Sequence, residues 1–379
     1  MIKVLHFVST PAIWSGVMSV IMNYYRHMDR SRVQFDFLCF SRCSPEESYE
    51  GEIEELGGRV FFIGKPSPSV RSIRELQLFF KTHNGEYTWF HNHEVYLSFL
   101  LRPLSLSYGI KNFIVHCHAT RYSDRKIAAV RNRILCIPIR WMKCRKFACS
   151  QEAGIFLFGS RALRKDRVWI LHNAIDSERF AFSPGQRAKM REQLGLTHCF
   201  VIGHVGRFVP QKNHSFLLYM FAELIEKCPH ARLLLIGCGP LLKTMQEECR
   251  ALGLEEYVVF LGQQTDMEAC YSAMDLFILP SVFEGIGIAL LEAQANGLYS
   301  LASQQVPDEA DATGNVTFLP LDSGLWGAEC LKAGGNSQQI RAAGGNGIRN
   351  CLIHNHYEIH SEAGRLQAYY ENTDFNVCI

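Results

Sequence analysis

The chain has 379 residues, 47% of them hydrophobic and 20% charged, with 39 Lys+Arg against 37 Asp+Glu. Apolar content in that range at balanced charge excludes a disordered chain, a collagen-like repeat and a dedicated basic nucleic-acid binder, and the length points to two cores. The +2 total conceals a split: residues 1–175 carry 25 Lys+Arg against 14 Asp+Glu, or +11, which leaves −9 for the rest. Two domains with different partners are expected.

Met1-Ile2-Lys3-Val4-Leu5-His6-Phe7-Val8-Ser9 is interrupted too early for a signal peptide and reads as a buried first strand. No apolar run reaches the roughly 18 to 20 residues of a membrane-spanning helix, so a soluble, cytoplasmic chain is expected. The 14 Cys contain no CxxC pair, which suggests reduced core thiols rather than zinc or disulfides; the closest early pair, Cys39 and Cys43, ends a strand.

Short apolar runs then alternate with helix-patterned stretches, the mark of βα units feeding parallel sheets. Strands are predicted at 4–8, 34–40, 59–63, 88–91, 112–115, 146–149 and 168–171, then at 200–205, 231–236, 257–261, 276–279 and 299–302. Residues 173–196, with Ser183-Pro184-Gly185, are polar and turn-rich and read as the linker. The expected domains are 1–178 and 179–356, with 357–379 a C-terminal helix and tail packing back toward the first. Gly334-Gly335-Asn336 and Gly344-Gly345-Asn346-Gly347 read as turns before a helix at 360–370. Open parallel sheets bind ligands beyond the carboxyl ends of their strands, so two facing sheets would make a cleft.

Chemistry concentrates in Phe283-Glu284-Gly285-Ile286-Gly287-Ile288-Ala289-Leu290-Leu291-Glu292, after the strand 276–279. A strand, a glycine turn and a helix start present backbone N–H groups that suit an anion such as phosphate. If the intervening residues are helical, Glu284 and Glu292 stand about 12 Å apart along the axis, the reach of a nucleotide-sugar. An ordinary amphipathic helix with two exposed glutamates fits the same spacing. A basic element, Gly206-Arg207-Phe208-Val209-Pro210-Gln211-Lys212, follows the strand 200–205; Arg207 as a planar fork and Lys212 as a point charge can clamp a diphosphate, or simply line a solvated loop.

These motifs in order resemble the retaining glycosyltransferases of family 4, of the capsular and exopolysaccharide type. The resemblance rests on Gly206, Arg207 and Lys212, the turn Ile236-Gly237-Cys238-Gly239-Pro240, and Glu284 with seven residues before Glu292. It rests also on Ser15-Gly16-Val17, His118 in Val115-His116-Cys117-His118, and Asn173-Ala174-Ile175-Asp176, and it spans essentially the whole chain. It implies a GT-B fold: two Rossmann-like α/β domains with parallel sheets facing across a cleft. It further implies that Arg207 and Lys212 hold the donor's distal phosphates, Glu284 contacts the donor sugar and Glu292 binds ribose. Gly16 would approach the donor phosphate, Gly285, Ile286, Gly287 and Ile288 would offer N–H groups, Gln263 would lie in the base loop 261–266, and His118 near the reacting sugar. The chain departs from the family where Met18 replaces a frequent acidic residue, Tyr299 a Pro and Ala174 a Gly.

The expected activity is a retaining, metal-independent hexosyl transfer from a nucleotide-sugar, UDP by family frequency, to a saccharide or lipid-linked saccharide in cell-surface polysaccharide biosynthesis. No Asp-x-Asp is present to hold a cation, and Arg207 with Lys212 can take its place, so neither metal nor cofactor is expected. A nucleotide-sugar epimerase of related fold and a non-catalytic nucleotide-sugar-binding subunit remain open. Residues 121–167 hold 13 basic residues against Asp124, Glu152 and Asp166, interleaved with Ile127, Val130, Ile134, Leu135, Ile139, Trp141 and Met142. This suits either a solvated basic face or peripheral contact with an anionic membrane; no nucleic-acid motif accompanies it.

Overall fold

The computed structural model of the chain describes residues 1–122, 126–333, 341 and 345–372. Two compact units emerge, Met1–Ala174 with the chain from Ile359 onward, and Ile175–Glu358. The first holds a seven-stranded sheet: β1 (Ile2–Val8), β2 (Val33–Cys39), β3 (Val60–Phe62), β4 (Trp89–Asn92), β5 (Asn112–Cys117), β6 (Arg145–Ala148) and β7 (Val168–Ile170), in the order β3-β2-β1-β4-β5-β6-β7. The second holds β8 (Phe200–Val205), β9 (Ala231–Ile236), β10 (Val258–Gly262), β11 (Leu276–Leu279), β12 (Tyr299–Ser303) and β13 (Val316–Leu319), in the order β10-β9-β8-β11-β12-β13. Every pairing is parallel.

Both faces of such a sheet are covered, which is why the strands read as continuous apolar runs rather than alternating ones. In the first unit Leu5, Phe7, Phe90, Phe113 and Val115 pack under the helices Val70–Thr82 and Ser98–Ser107. In the second, Ile202, Leu233, Leu235, Leu276 and Ile278 pack against Leu217, Phe221 and Trp326. Strand order reverses at β1/β4 and at β8/β11, and a crevice opens at the carboxyl ends of the strands where such a reversal occurs. Most of the described cysteines are buried and none is disulfide-bonded.

Several expectations need correction. The chain passes from one unit to the other at Ala174/Ile175 and at Glu358/Ile359 rather than at 178/179 and 356/357, and within the second unit Ile175 N–H donates to Tyr357 O at 2.8 Å. Ser183-Pro184-Gly185 is no linker: Ser183 Oγ caps the helix Pro184–Gln193, whose Arg187 and Arg191 both pair with Asp275 in the second unit. Pro at a first helical position behind a Ser cap is a helix start that looks like a loop in composition. Gly345-Asn346-Gly347 opens the helix Gly345–His354 rather than a turn, while Gly334, Gly335, Asn336 and Gly344 lie outside the described residues, as do Asp124, Arg125 and 373–379. The helix Ile359–Glu371 belongs to the first unit, where Tyr370 O accepts from Trp89 Nε1 at 2.9 Å and Gln367 Oε1 accepts from Asp29 N–H at 2.9 Å.

Candidate functional site

Because β8 and β11 are neighbours, the loops leaving their carboxyl ends meet, and they are the loops that carry Arg207, Lys212 and Glu284. Val282 N–H donates to Gln211 O at 2.9 Å, and Asn213 Nδ2 donates to Pro280 O at 3.3 Å. Lys212 Nζ lies 2.5 Å from Glu284 Oε1, a pair 15% and 8% exposed. Glu284 also accepts from Ser281 Oγ at 2.7 Å and from Gln211 Nε2 at 3.4 Å. Arg207 is exposed and makes no ion pair among the described residues. One cation is thus fixed by a carboxylate and one points outward.

Glycines make this junction possible. A Cβ on Gly206 would fall 3.2 Å from Lys212 Cδ and 2.9 Å from His204 Nε2, so a side chain there would press on both the lysine stem and the His204 ring. Gly237 has φ 137°, and a Cβ there would land on the Gly206 carbonyl oxygen. The turn from Gly237 to Gly239 is pinned to the basic loop by Phe208 N–H donating to Cys238 O at 2.9 Å and Leu241 N–H to Phe208 O at 3.0 Å. Gln263 joins it through Cys238, whose Sγ lies 3.6 Å from Gln263 Oε1.

The turn after Glu284 is not helical, so the assumption behind the 12 Å spacing fails. Helix Ile288–Ala295 starts only after Gly287, which takes the left-handed conformation (φ 76°), and no side chain caps it, so its first N–H groups face outward from the helix end. Gly285 is exposed, whereas Ile286 is 2% exposed and anchors the turn in the core. Glu292 lies within the helix, partly buried, and accepts from Tyr271 Oη at 2.7 Å. Burial pushes its carboxyl up to about 7, with the Tyr271 hydroxyl and the nearby Arg179 charge opposing the rise. Tyr271, Gln211 and Ser281 were not singled out from sequence, since each acts through a partner 3 to 73 positions away.

Gly16 and His118 belong to the first unit. Gly16 opens the helix Gly16–Arg26, capped by Ser15 Oγ accepting from Met18 N–H at 3.4 Å, and space is open around its Cα. Met18 is fully buried, so it replaces an acidic residue with core packing. His118 follows β5, partly exposed, its Nε2 2.8 Å from His93 Nδ1, and burial pushes its imidazole down to about 4. In the basic segment, Ile127 (89%), Val130, Ile134, Ile137 and Trp141 (79%) are exposed along the helix Lys126–Cys136 and the turn after it, while Cys136 and Ile139 hold it to the core. Among the described residues no helix is long and apolar enough to cross a membrane.

Strand ends that bring together a cation paired with a carboxylate, a second cation with no ion pair among the described residues, and a helix start without a side-chain cap are equipped to bind a phosphorylated, hydroxyl-rich ligand. Residues 199–324, which contain all of these features, match the family model for glycosyl transferases group 1. A Bacillus subtilis (strain 168) protein named as a glycosyltransferase, EpsF, is 34% identical over 335 residues, 84% of each chain. The GDP-mannose-dependent alpha-(1-6)-phosphatidylinositol monomannoside mannosyltransferase of Mycolicibacterium smegmatis is 29% identical over 280 residues, 68% of this chain and 69% of that one. The crystal structure of Anabaena HepE in complex with UDP and glucose shares the fold with a TM-score of 0.78 over 98% of this chain and 100% of that one, at 17% identity. With two parallel sheets of the GT-B type and EpsF related at 34% identity across 84% of both chains, the chain belongs to the group 1 glycosyltransferases and is a transferase enzyme.

Proposed function

We propose that this glycosyltransferase moves a hexosyl group from a nucleotide-sugar to a saccharide or lipid-linked saccharide with retention of configuration, in cell-surface polysaccharide synthesis. The observation that carries the reading is the meeting of the Arg207–Lys212 loop with the Glu284 loop at the β8/β11 reversal. Departure of a nucleoside diphosphate builds negative charge on phosphate and positive charge on the sugar ring. Arg207, Lys212 and the N–H groups from Gly285 to Ile288 stabilise the first, and Glu284 holds sugar hydroxyls beside the second, preorganised electrostatics of the kind that usually dominates catalysis. The C1–O bond to phosphate breaks, the acceptor oxygen bonds C1 on the same face, and the acceptor proton passes to the departing phosphate. No enzyme nucleophile is needed, and the fixed cations supply charge that a metal would otherwise bring. Glu292 takes the ribose hydroxyls and Gln263 lies beside the base.

UDP is the proposed leaving nucleotide, supported by the UDP in the HepE structure, whereas the mycobacterial relative is named for GDP-mannose. A panel of UDP-, GDP- and ADP-sugars, with and without lipid extract, is followed by nucleoside diphosphate release. Anomeric NMR of the product and an arm with chelator complete it. Turnover with a UDP-sugar, an α-linked product from an α-linked donor and chelator resistance are expected; donor binding without turnover for any sugar refutes the enzyme's proposed reaction.

The acceptor side is proposed to rest on anionic lipid at the cytoplasmic face. Support comes from the exposed stripe Ile127, Val130, Ile134, Ile137 and Trp141 flanked by Lys126, Arg131, Arg133, Arg140 and Lys143, since a solvated basic face has no use for five exposed apolar side chains. Flotation with phosphatidylserine vesicles at low salt is expected to carry the protein upward; no binding refutes the membrane claim.

A further inference from the structure

Five histidines of the first unit share one face of its sheet. His6 lies on β1, His91 on β4 with His93 just beyond, and His116 on β5 with His118 just beyond. His6 is in register with His91, and His91 with Ile114, so the two-residue period of a strand sends all five side chains to one side. Val20, Tyr24, Phe35 and Leu366 close over them. Burial holds all five imidazoles down, His6 to about 3 and His118 to about 4, so each is neutral, with one N–H and one lone pair.

The rings bond edge to edge in two rows. His6 Nδ1 lies 2.9 Å from His93 Nε2, and His93 Nδ1 lies 2.8 Å from His118 Nε2, so His93 is engaged at both nitrogens. In the second row Tyr370 Oη lies 2.6 Å from His91 Nδ1, and His91 Nε2 lies 3.1 Å from His116 Nδ1. The rows stack, His91 on His93 with centroids 4.3 Å apart and planes at 14°. Among the described residues His6 Nε2 is buried without a partner.

Three neutral imidazoles joined by two hydrogen bonds have only two proton arrangements. Either His6 donates to His93 and His93 to His118, which leaves the proton of His118 on Nδ1, or every donor reverses and His6 Nε2 carries an N–H. The second arrangement buries an N–H with no acceptor, and orphaned buried N–H groups are the rarer defect. Turning one ring alone breaks a hydrogen bond. We propose that His93 and His6 are positioning residues that lock His118 in its Nδ1–H tautomer, making the partly exposed end of the row a fixed hydrogen-bond donor to the donor sugar. The kinetic part rests on the place near the reacting sugar that the family resemblance implies for His118. Neutral buried imidazoles also suit a transition metal, and His6, His91 and His93 bring ligand atoms within 4.8 Å of one another. Stacked rings, however, aim their lone pairs along parallel planes rather than at one point, and the inner nitrogens already serve each other.

Long-range 1H–15N spectra of the full-length, 15N-histidine-labelled protein test the lock. The wild type and His91→Phe, which cuts only the second row, are expected to show His118 as Nδ1–H. In His93→Phe and in His6→Phe, His118 is expected to revert to a mixture dominated by the ordinary Nε2–H form, with kcat down tenfold or more and donor KM within twofold. The same His118 tautomer in all four proteins overturns the proposal, as does one equivalent of Zn2+ bound by the wild type and lost in His93→Phe. A tautomer that shifts while kcat does not sustains the lock and removes His118 from the transfer reaction. His6→Phe, at the far end of the row, keeps the test open should His93→Phe not fold.

Discussion

Replacing Lys212 by Met separates the structural from the catalytic duty of its ion pair with Glu284. The pair is 15% and 8% exposed, so the substitution leaves a nearly buried carboxylate with, among the described residues, the Ser281 hydroxyl and the Gln211 amide as its side-chain donors. Breaking a fully buried pair costs about 3–5 kcal/mol; with two donors kept, about 1–3 kcal/mol of stability is expected to go. On the chemical side, a charge-assisted contact to phosphate contributes about 1.5–3 kcal/mol, and at about 1.4 kcal/mol per factor of ten the expected loss in kcat/KM is roughly ten- to a hundredfold. The double variant Lys212→Met/Glu284→Gln tells the two apart. A neutral amide at 284 needs no cation, so the double variant is expected to recover most of the lost stability by thermal denaturation. It is expected to recover none of the transfer, measured as nucleoside diphosphate release. Wild-type kcat/KM in Lys212→Met, or restored transfer in the double variant, would refute the reasoning.

Gly237→Ala places a Cβ on the Gly206 carbonyl oxygen, and at φ 137° relief must come from the backbone; a loss of more than about 2 kcal/mol and collapse of kcat are expected, read by thermal melts and turnover. Glu292 is raised to about 7 from the ordinary 4.5, so the fold holds more protons there than the unfolded chain does and its stability falls as pH rises from about 4.5 to 7. Glu292→Gln is therefore expected to melt higher than wild type at pH 8 but not at pH 4.5, and to raise donor KM more than it lowers kcat. The five lowered histidines act with the opposite sign: the unfolded chain takes up their protons near pH 6.5 while the fold resists until about 4 for His118 and about 3 for His6. Stability should thus fall below pH 6.5 by up to about 1.4 kcal/mol per pH unit for each, and His6→Phe should flatten the slope in melts between pH 6.5 and 5. Ile127→Ser with Trp141→Ser should weaken flotation on phosphatidylserine vesicles at least tenfold and leave transfer to a soluble acceptor intact; unchanged flotation would remove the stripe from membrane contact.

Of the thirteen strands among the described residues, twelve are legible as short apolar runs, most of them on strands buried on both faces, and their observed bounds fall within two residues of the expected ones. The missing one, β13, is a four-residue edge strand between Asn315 and Pro320 whose Val316-Thr317-Phe318-Leu319 is broken by the polar Thr317, so no continuous apolar run marks it. The helix Pro184–Gln193 is hidden for the opposite reason: its exposed face is polar, and its Arg187 and Arg191 are held by Asp275, some 84 to 88 positions away, a partner that periodicity does not reveal.

The site itself was half legible, and the division follows from topology. Arg207, Lys212, Glu284 and the glycine turn could be picked out by residue type, yet nothing in their spacing says that Lys212 meets Glu284, 72 positions on. That contact follows from β11 inserting beside β8 after β9 and β10 have gone the other way. The histidine rows obey the same rule: His91-Asn92-His93 and His116-Cys117-His118 stand in plain view, but only the β1-β4-β5 order brings them alongside His6. In a reversing parallel sheet the residues at and just past the carboxyl ends of strands are thrown together whatever their separation. Taking those positions as a group collects Arg207, Cys238, Gln263 and Glu284 in one unit and His93 and His118 in the other, so strand ends, more than local motifs, are where the chemistry of this chain is to be sought.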